Sequence, residues 1–224
     1  MIQPALVAAV HTTSASIPPL RAALADELPD VQMWNLIDDR LGPDADALDG
    51  ELSPELRDRM LNLVRHGISG GADAVVIACS MYGEIQPVAE KLFTTPVFAS
   101  DTDMIADIVR AAPGRVAVLA SLRGAAADTT SKLTAALELA QHSSEVVPVF
   151  CAGAAEAAAR GDISALVDAL TAGLDGAGGS FDMACIAQYS VSPAADELAA
   201  KIAVPVAFPT RSAARAIARR LDLP

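Results

Sequence analysis

The chain reads as an α/β protein of two similar lobes, each built on a parallel sheet, with a cleft between them. Three observations predict this. Eight short apolar runs alternate with longer helical patterns along the chain. Apolar runs of strand length bounded by turn signals suit strands buried on both faces, and strand–helix alternation requires right-handed crossovers and parallel sheets. The sequence also repeats itself at an offset of 109 residues: GADAVVIACS, Gly71 to Ser80, lies over SFDMACIAQY, Ser180 to Tyr189. Finally, matches at this offset cluster at structural landmarks: Asp73 with Asp182, Ile77 with Ile186, Gly67 with Gly176, Gly70 with Gly179 and Pro96 with Pro205. The run ALVAAV after Pro4 falls in the region of RVAVLA after Gly114.

Taken in order, the predicted strands are Ala5 to Val10, Val31 to Ile37, Ala74 to Ala78, Val97 to Ala99, Val116 to Ala120, Val146 to Phe150, Met183 to Ala187 and Val204 to Ala207. Helices are predicted at Pro18 to Leu28, Pro54 to Ile68, Glu84 to Leu92, Asp103 to Ala111, Ala125 to Gln141, Ala154 to Leu174, Pro193 to Ile202 and Ser212 to Leu221. Ser53-Pro54-Glu55 is a helix start, with Ser as N-cap and Pro in the first turn. Gly161-Asp162 breaks the sixth helical pattern in two. The segment DDRLGPDADALDG, Asp38 to Gly50, fits no element and reads as a solvated acidic loop, or else as a lid over the cleft. Its carboxylates lack the spacing of a calcium loop. The glycine cluster Gly173 to Ser180 precedes a strand instead of following one, so it is a turn and not a dinucleotide-binding loop.

Composition narrows the function. The net charge of −12 argues against nucleic acid, because phosphate binding needs clustered Lys and Arg. No apolar run reaches membrane-spanning length, and the N-terminus has no basic region ahead of an apolar one. Three scattered cysteines do not make a disulfide framework, and with only three histidines no transition-metal site is expected. The expectation is a cytoplasmic protein with free thiols.

Ligands of open parallel sheets bind beyond the carboxyl ends of the strands. The residues there are His11-Thr12-Thr13-Ser14, Cys79-Ser80-Met81-Tyr82-Gly83, Ser121-Leu122-Arg123, Cys151 and Gln188-Tyr189-Ser190. Cys79 is the sharpest candidate: it closes a buried strand, small and polar residues follow, and a helix start near Glu84 would favour a thiolate. Cys185, inside a strand, is core, and Cys151, followed by AGAAEAAA, has no polar partner and packs in the core too. His11 is either an acid/base group or, more commonly at a strand end, a satisfied structural one. The hydroxyls of Thr12, Thr13, Ser14, Ser80, Ser121 and Ser190 are caps and turn residues singly, and an anion pocket if gathered round one cleft. Arg123 is a counter-charge or a surface residue. A Cys–His hydrolase pairing Cys79 with His11 would lack an orienting third residue, and no nucleophile elbow is present.

HTTS after the first strand, then ADAVVIACS, RVAVLAS and IAQYS in that order, resemble the aspartate/glutamate (hydantoin) racemase superfamily over nearly the whole chain. That superfamily also includes maleate isomerase and arylmalonate decarboxylase. The resemblance implies two pseudosymmetric Rossmann-like lobes, each a parallel four-stranded sheet flanked by helices. The last helix would return to the first lobe, giving 1–98 plus 209–224 and 99–208. It implies chemistry next to a carboxylate with no cofactor, a small carboxylate or amino-acid-like substrate, and a homodimer. Carried over by position, Cys79 matches the first catalytic cysteine. Ser80 and Met81 match the carboxylate cradle, and Thr12 and Ser121 match the hydroxyl-bearing strand ends. Thr13, Tyr189 and Ser190 complete the expected substrate-binding set.

The chain departs from the pattern at two places. Gly124-Ala125 stands where many members have a Thr pair, and Gln188 stands where the second catalytic cysteine belongs. Inverting a stereocentre takes an acid and a base on opposite faces, and Gln cannot titrate. The expectation is therefore a one-thiol isomerase or lyase, like arylmalonate decarboxylase or maleate isomerase, with Gln188 as a hydrogen-bond donor. The alternative is a carboxylate-binding protein without catalysis.

Overall fold

The computed structural model describes residues 4–48 and 51–223. The chain divides into two compact units, Met1–Thr102 with Ala213–Pro224, and Asp103–Ser212. These boundaries lie four residues beyond the expected 98 and 208.

The first unit contains β1 (Leu6–His11), β2 (Gln32–Ile37), β3 (Ala74–Ile77) and β4 (Val97–Ala99), all parallel in the order β2-β1-β3-β4. The second contains β5 (Arg115–Ala120), β6 (Glu145–Phe150), β7 (Met183–Ile186) and β8 (Val206–Ala207), in the matching order β6-β5-β7-β8. All eight expected strands form, and the residues of β3 and β5 are buried, apart from half-buried Arg115, as runs without alternation require.

The repeat is structural as well as sequential. Asp73 Oδ2 accepts the N–H of Leu6 at 2.8 Å, and Asp182 Oδ2 accepts the N–H of Arg115 at 2.8 Å. Each carboxylate thus satisfies the first donor of the neighbouring central strand. At the other end of the sheets, the N–H of Ala78 donates to Val10 O at 2.8 Å and that of Ala187 to Leu119 O at 2.9 Å.

The helices are α1 (Ile17–Glu27), α2 (Leu41–Asp46), α3 (Pro54–Ser69), α4 (Ile85–Leu92), α5 (Thr102–Ala111), α6 (Arg123–Leu139), α7 (Ala154–Arg160), α8 (Ile163–Ala177), α9 (Ala195–Ile202) and α10 (Pro209–Arg220). No helix among the described residues is long and apolar enough to cross a membrane. The α3 start follows its sequence: Ser53 Oγ accepts the Leu56 N–H, Pro54 is the first helical residue, and Leu56, Met60, Val64 and Gly67 form the buried face. Gly161, at φ +67°, ends α7, and Asp162 caps α8 by accepting the Ala165 N–H at 3.0 Å. In the second unit one apolar cluster joins a sheet face to α7, α8 and α9, and another joins a sheet face to α5 and α6.

The acidic segment corrects the expectation of a loop without an element. Within it, Leu41–Asp46 is helical, with Leu41 and Ala45 buried. Arg59 holds it down, donating Nη1 to Asp44 at 2.7 Å and Nη2 to Asp38 at 2.7 Å. The Arg59 guanidinium beside Asp44 lowers that carboxyl below its ordinary range. Tyr82 adds a second tether, its buried hydroxyl donating to Leu41 O at 2.8 Å. Burial pushes this phenol up to about 12, so it stays a neutral donor. Asp49 and Gly50 of the segment lie outside the described residues.

Gly67 lets α3 pack close against β1: a Cβ there would stand 2.8 Å from the Cβ of Ala8, which cannot swing away. Gly67→Ala is expected to destabilise the protein by about 1–3 kcal/mol despite the better helix propensity of Ala. Urea unfolding of the variant tests this, and an unchanged or raised midpoint would refute it.

Candidate active site

In the first unit, β1 and β3 are neighbours in parallel register, with Val10 opposite Ile77. Their carboxyl ends therefore carry Thr12 and Cys79 side by side in sequence register. Cys79 has an extended backbone (φ −147°, ψ 117°) and opens a 3-10 turn, Ser80–Tyr82, whose Tyr82 N–H donates to Cys79 O at 3.2 Å. The thiol residue is half-buried, as are Ser80 and Met81. Thr12 is buried and Thr13 exposed, its hydroxyl oxygen accepting the Ala15 N–H. A Cβ on Gly42 of α2 would lie 3.7 Å from Thr12 O, so the tethered acidic segment stands beside this strand end.

The second unit repeats the construction with different chemistry. Leu119 lies opposite Ile186, so Ser121 follows β5 where Thr12 follows β1, and Gln188 follows β7 where Cys79 follows β3. Gln188 has the same extended backbone (φ −135°, ψ 140°) and opens the 3-10 turn Tyr189–Ala194. Its side-chain Oε1 accepts both the Ser121 N–H at 2.9 Å and the Ser121 hydroxyl at 3.0 Å. Its carbonyl accepts the Val191 N–H at 3.2 Å and the Ser192 hydroxyl at 3.1 Å. Ser190 is half-buried and Tyr189 buried. Sequence reasoning missed Ser192; a hydroxyl four residues after a strand-end residue was the available signal.

The three thiols separate cleanly. Cys151 and Cys185 are fully buried, and burial pushes them up to about 11 and about 12, so both stay protonated in the core as expected. Cys79 alone is accessible. His11, the other titratable candidate, is completely buried. Its Nδ1 lies 2.7 Å from Ser16 Oγ and its Nε2 3.1 Å from Asn35 Oδ1, and burial lowers it to about 4. It is therefore a neutral structural group bracing β1, β2 and the turn after β1. Asn35 and Ser16 were not singled out in the sequence. Arg123 stacks on Phe150, its guanidinium carbon 4.2 Å from the ring centroid. Among the described residues no group of three or more His, Cys, Asp or Glu side chains could hold a metal ion.

Two such repeated parallel α/β units make a fold like that of the aspartate and glutamate racemases. The chain is similar to glutamate racemase from Bacillus anthracis with a TM-score of 0.73 at 13% identity, covering 98% of this chain and 82% of that one. It is similar to aspartate racemase from Picrophilus torridus with a TM-score of 0.73 at 13% identity, covering 97% and 94%. It is also similar to arylmalonate decarboxylase, with a TM-score of 0.64 at 18% identity, covering 96% and 92%. No protein-family model matches the sequence, and no curated protein matches it.

The burial of His11 sets a pH dependence. Unfolded, it titrates near 6.5; folded, near 4. Between these values the unfolded chain binds a proton that the folded chain refuses. The contribution of neutral His11 is thus fully present above 6.5 and is lost as pH falls towards 4, by about 3 kcal/mol in all. Denaturation from about pH 7 to about pH 4.5 is expected to show a steeper loss of stability for the wild type than for His11→Gln. Equal slopes would show that the folded protein admits the charge.

Proposed function

We propose that this protein is a cofactor-independent enzyme of the racemase superfamily, acting at the carbon next to the carboxylate of a small acid with one thiol. The observation that carries the reading is the pair of equivalent strand ends. One bears the only accessible cysteine, Cys79, and the other bears Gln188, whose amide does not titrate and so cannot act as an acid or base. Racemisation by two thiols is thereby disfavoured, since Gln188 cannot serve as the second acid or base. Cys79 removes or delivers the proton, or adds to the substrate as a nucleophile. Thr12, Thr13, Ser80 and Met81 hold the carboxylate. Gln188, with Tyr189 and Ser190 beside it, donates hydrogen bonds to oxygen as negative charge gathers there, the interaction that usually gives the largest rate effect in such reactions.

The likeness to arylmalonate decarboxylase favours a lyase variant, in which loss of carbon dioxide leaves a carbanion that a single thiol protonates. Cis–trans isomerisation by thiolate addition needs the same groups. A non-catalytic carboxylate-binding protein is the remaining reading, favoured by the same Gln188.

Proton NMR in heavy water with aspartate, glutamate, maleate, malonates and hydantoins tests the proposal. Wild type is expected to place deuterium at the carbon next to the carboxylate, or to form a new product, with at least one acid. Cys79→Ala is expected to lose this by about a hundredfold or more. Binding of an acid without exchange or product would identify a binding protein.

A further inference from the structure

We propose that Ser121 is a positioning residue and not a ligand of the substrate: it locks the Gln188 side chain as a fixed hydrogen-bond donor. The inference rests on the functional reading above and refines its donor set. A backbone N–H can only donate. The Gln188 atom 2.9 Å from the Ser121 nitrogen must therefore be the amide oxygen, which removes the usual ambiguity between the two ends of a glutamine. The Ser121 hydroxyl, 3.0 Å from the same oxygen, adds a second bond.

Both donors of a buried residue are thus directed to one acceptor within the protein, and a carboxylate could reach them only by displacing Gln188. The Gln188 main chain is fixed too, its carbonyl accepting from Val191 and Ser192. What remains is the Nε2 group, a neutral donor of two protons in a fixed orientation.

The first unit shows the contrast. At the positions equivalent to Ser121 and Gln188 stand Thr12 and Cys79. Among the described residues the Thr12 N–H and hydroxyl form no hydrogen bond. One strand end keeps its donor pair open beside a thiol, and the other fills its donor pair with its own amide oxygen. The first strand end therefore has an open donor pair, from Thr12, and the second has none. The second strand end offers Nε2 to an oxygen that gains charge as the carbon beside it becomes a carbanion. Under the functional reading above, such a donor suits an acid that reacts through an enediolate or enolate.

Two measurements decide it. In deuterated protein labelled with nitrogen-15 and carbon-13, a scalar coupling across the hydrogen bond from Ser121 nitrogen to Gln188 Cδ is expected. The two Nε2 protons should be separate and slow to exchange in wild type and Ser121→Thr, and faster to exchange in Ser121→Ala. Absence of the coupling in wild type would overturn the proposal. With whichever acid of the panel the wild type turns over, Ser121→Ala is expected to lower kcat about tenfold while KM stays within about twofold, and Ser121→Thr to restore kcat. A raised KM with kcat kept would make Ser121 a substrate ligand and refute the positioning role. If the wild type turns over no acid, the functional reading fails, while the coupling still decides whether Ser121 holds Gln188.

Discussion

Parallel register is the constraint on which the candidate site depends. Val10 lies opposite Ile77 and Leu119 opposite Ile186, so within each unit the residues two places beyond these partners arrive together: Thr12 with Cys79, and Ser121 with Gln188. A slip of one residue would turn every side chain to the other face of the sheet and scatter these pairs. The register is held at both ends. Asp73 and Asp182 accept the first N–H of the central strands, and the N–H groups of Ala78 and Ala187 close the ladders beyond the last paired residues. The duplicated chain keeps this frame in both halves and varies what stands on it.

Much of that frame was legible in the sequence. The strands buried along their length, such as β3 and β5, are continuous apolar runs; the edge strands β2, β6 and β8 form where expected but are only partly buried, because no strand covers their outer side. Helix starts were readable where a cap made them so, as at Ser53-Pro54, and where glycine ended one helix and aspartate opened the next, as at Gly161-Asp162. The helix α2 was not legible, because nothing in Leu41-Gly42-Pro43 favours one. It exists through distant partners: Arg59 pairing with Asp38 and Asp44, and Tyr82 donating to Leu41 O. Helix α10 starts at Pro209, three residues before the expected Ser212, because proline suits the first turn and the run after it continues the helix.

The site was legible in its positions and less so in its bonds. The repeat alone located Cys79 and Gln188 as equivalents, and the backbone angles of the two agree. The destination of each hydroxyl was not, since a serine after a strand can face a ligand, a turn or a neighbour with equal ease. Position alone groups Ser121 with the substrate-binding hydroxyls, yet both of its donors meet Gln188. A strand-end position leaves His11 between two roles, and burial, with Asn35 and Ser16 as partners, decides for the structural one.

The unequal burial of the three cysteines has a practical consequence. A thiol reagent added to the folded protein meets one partly exposed cysteine, at the strand end proposed for the chemistry, while two more stay shielded until the second unit opens. The native molecule therefore carries its own single attachment point for a fluorophore or a covalent probe. The count of modified sulfurs distinguishes occupation of the candidate site, which would hide the first, from opening of the second unit, which would reveal the other two.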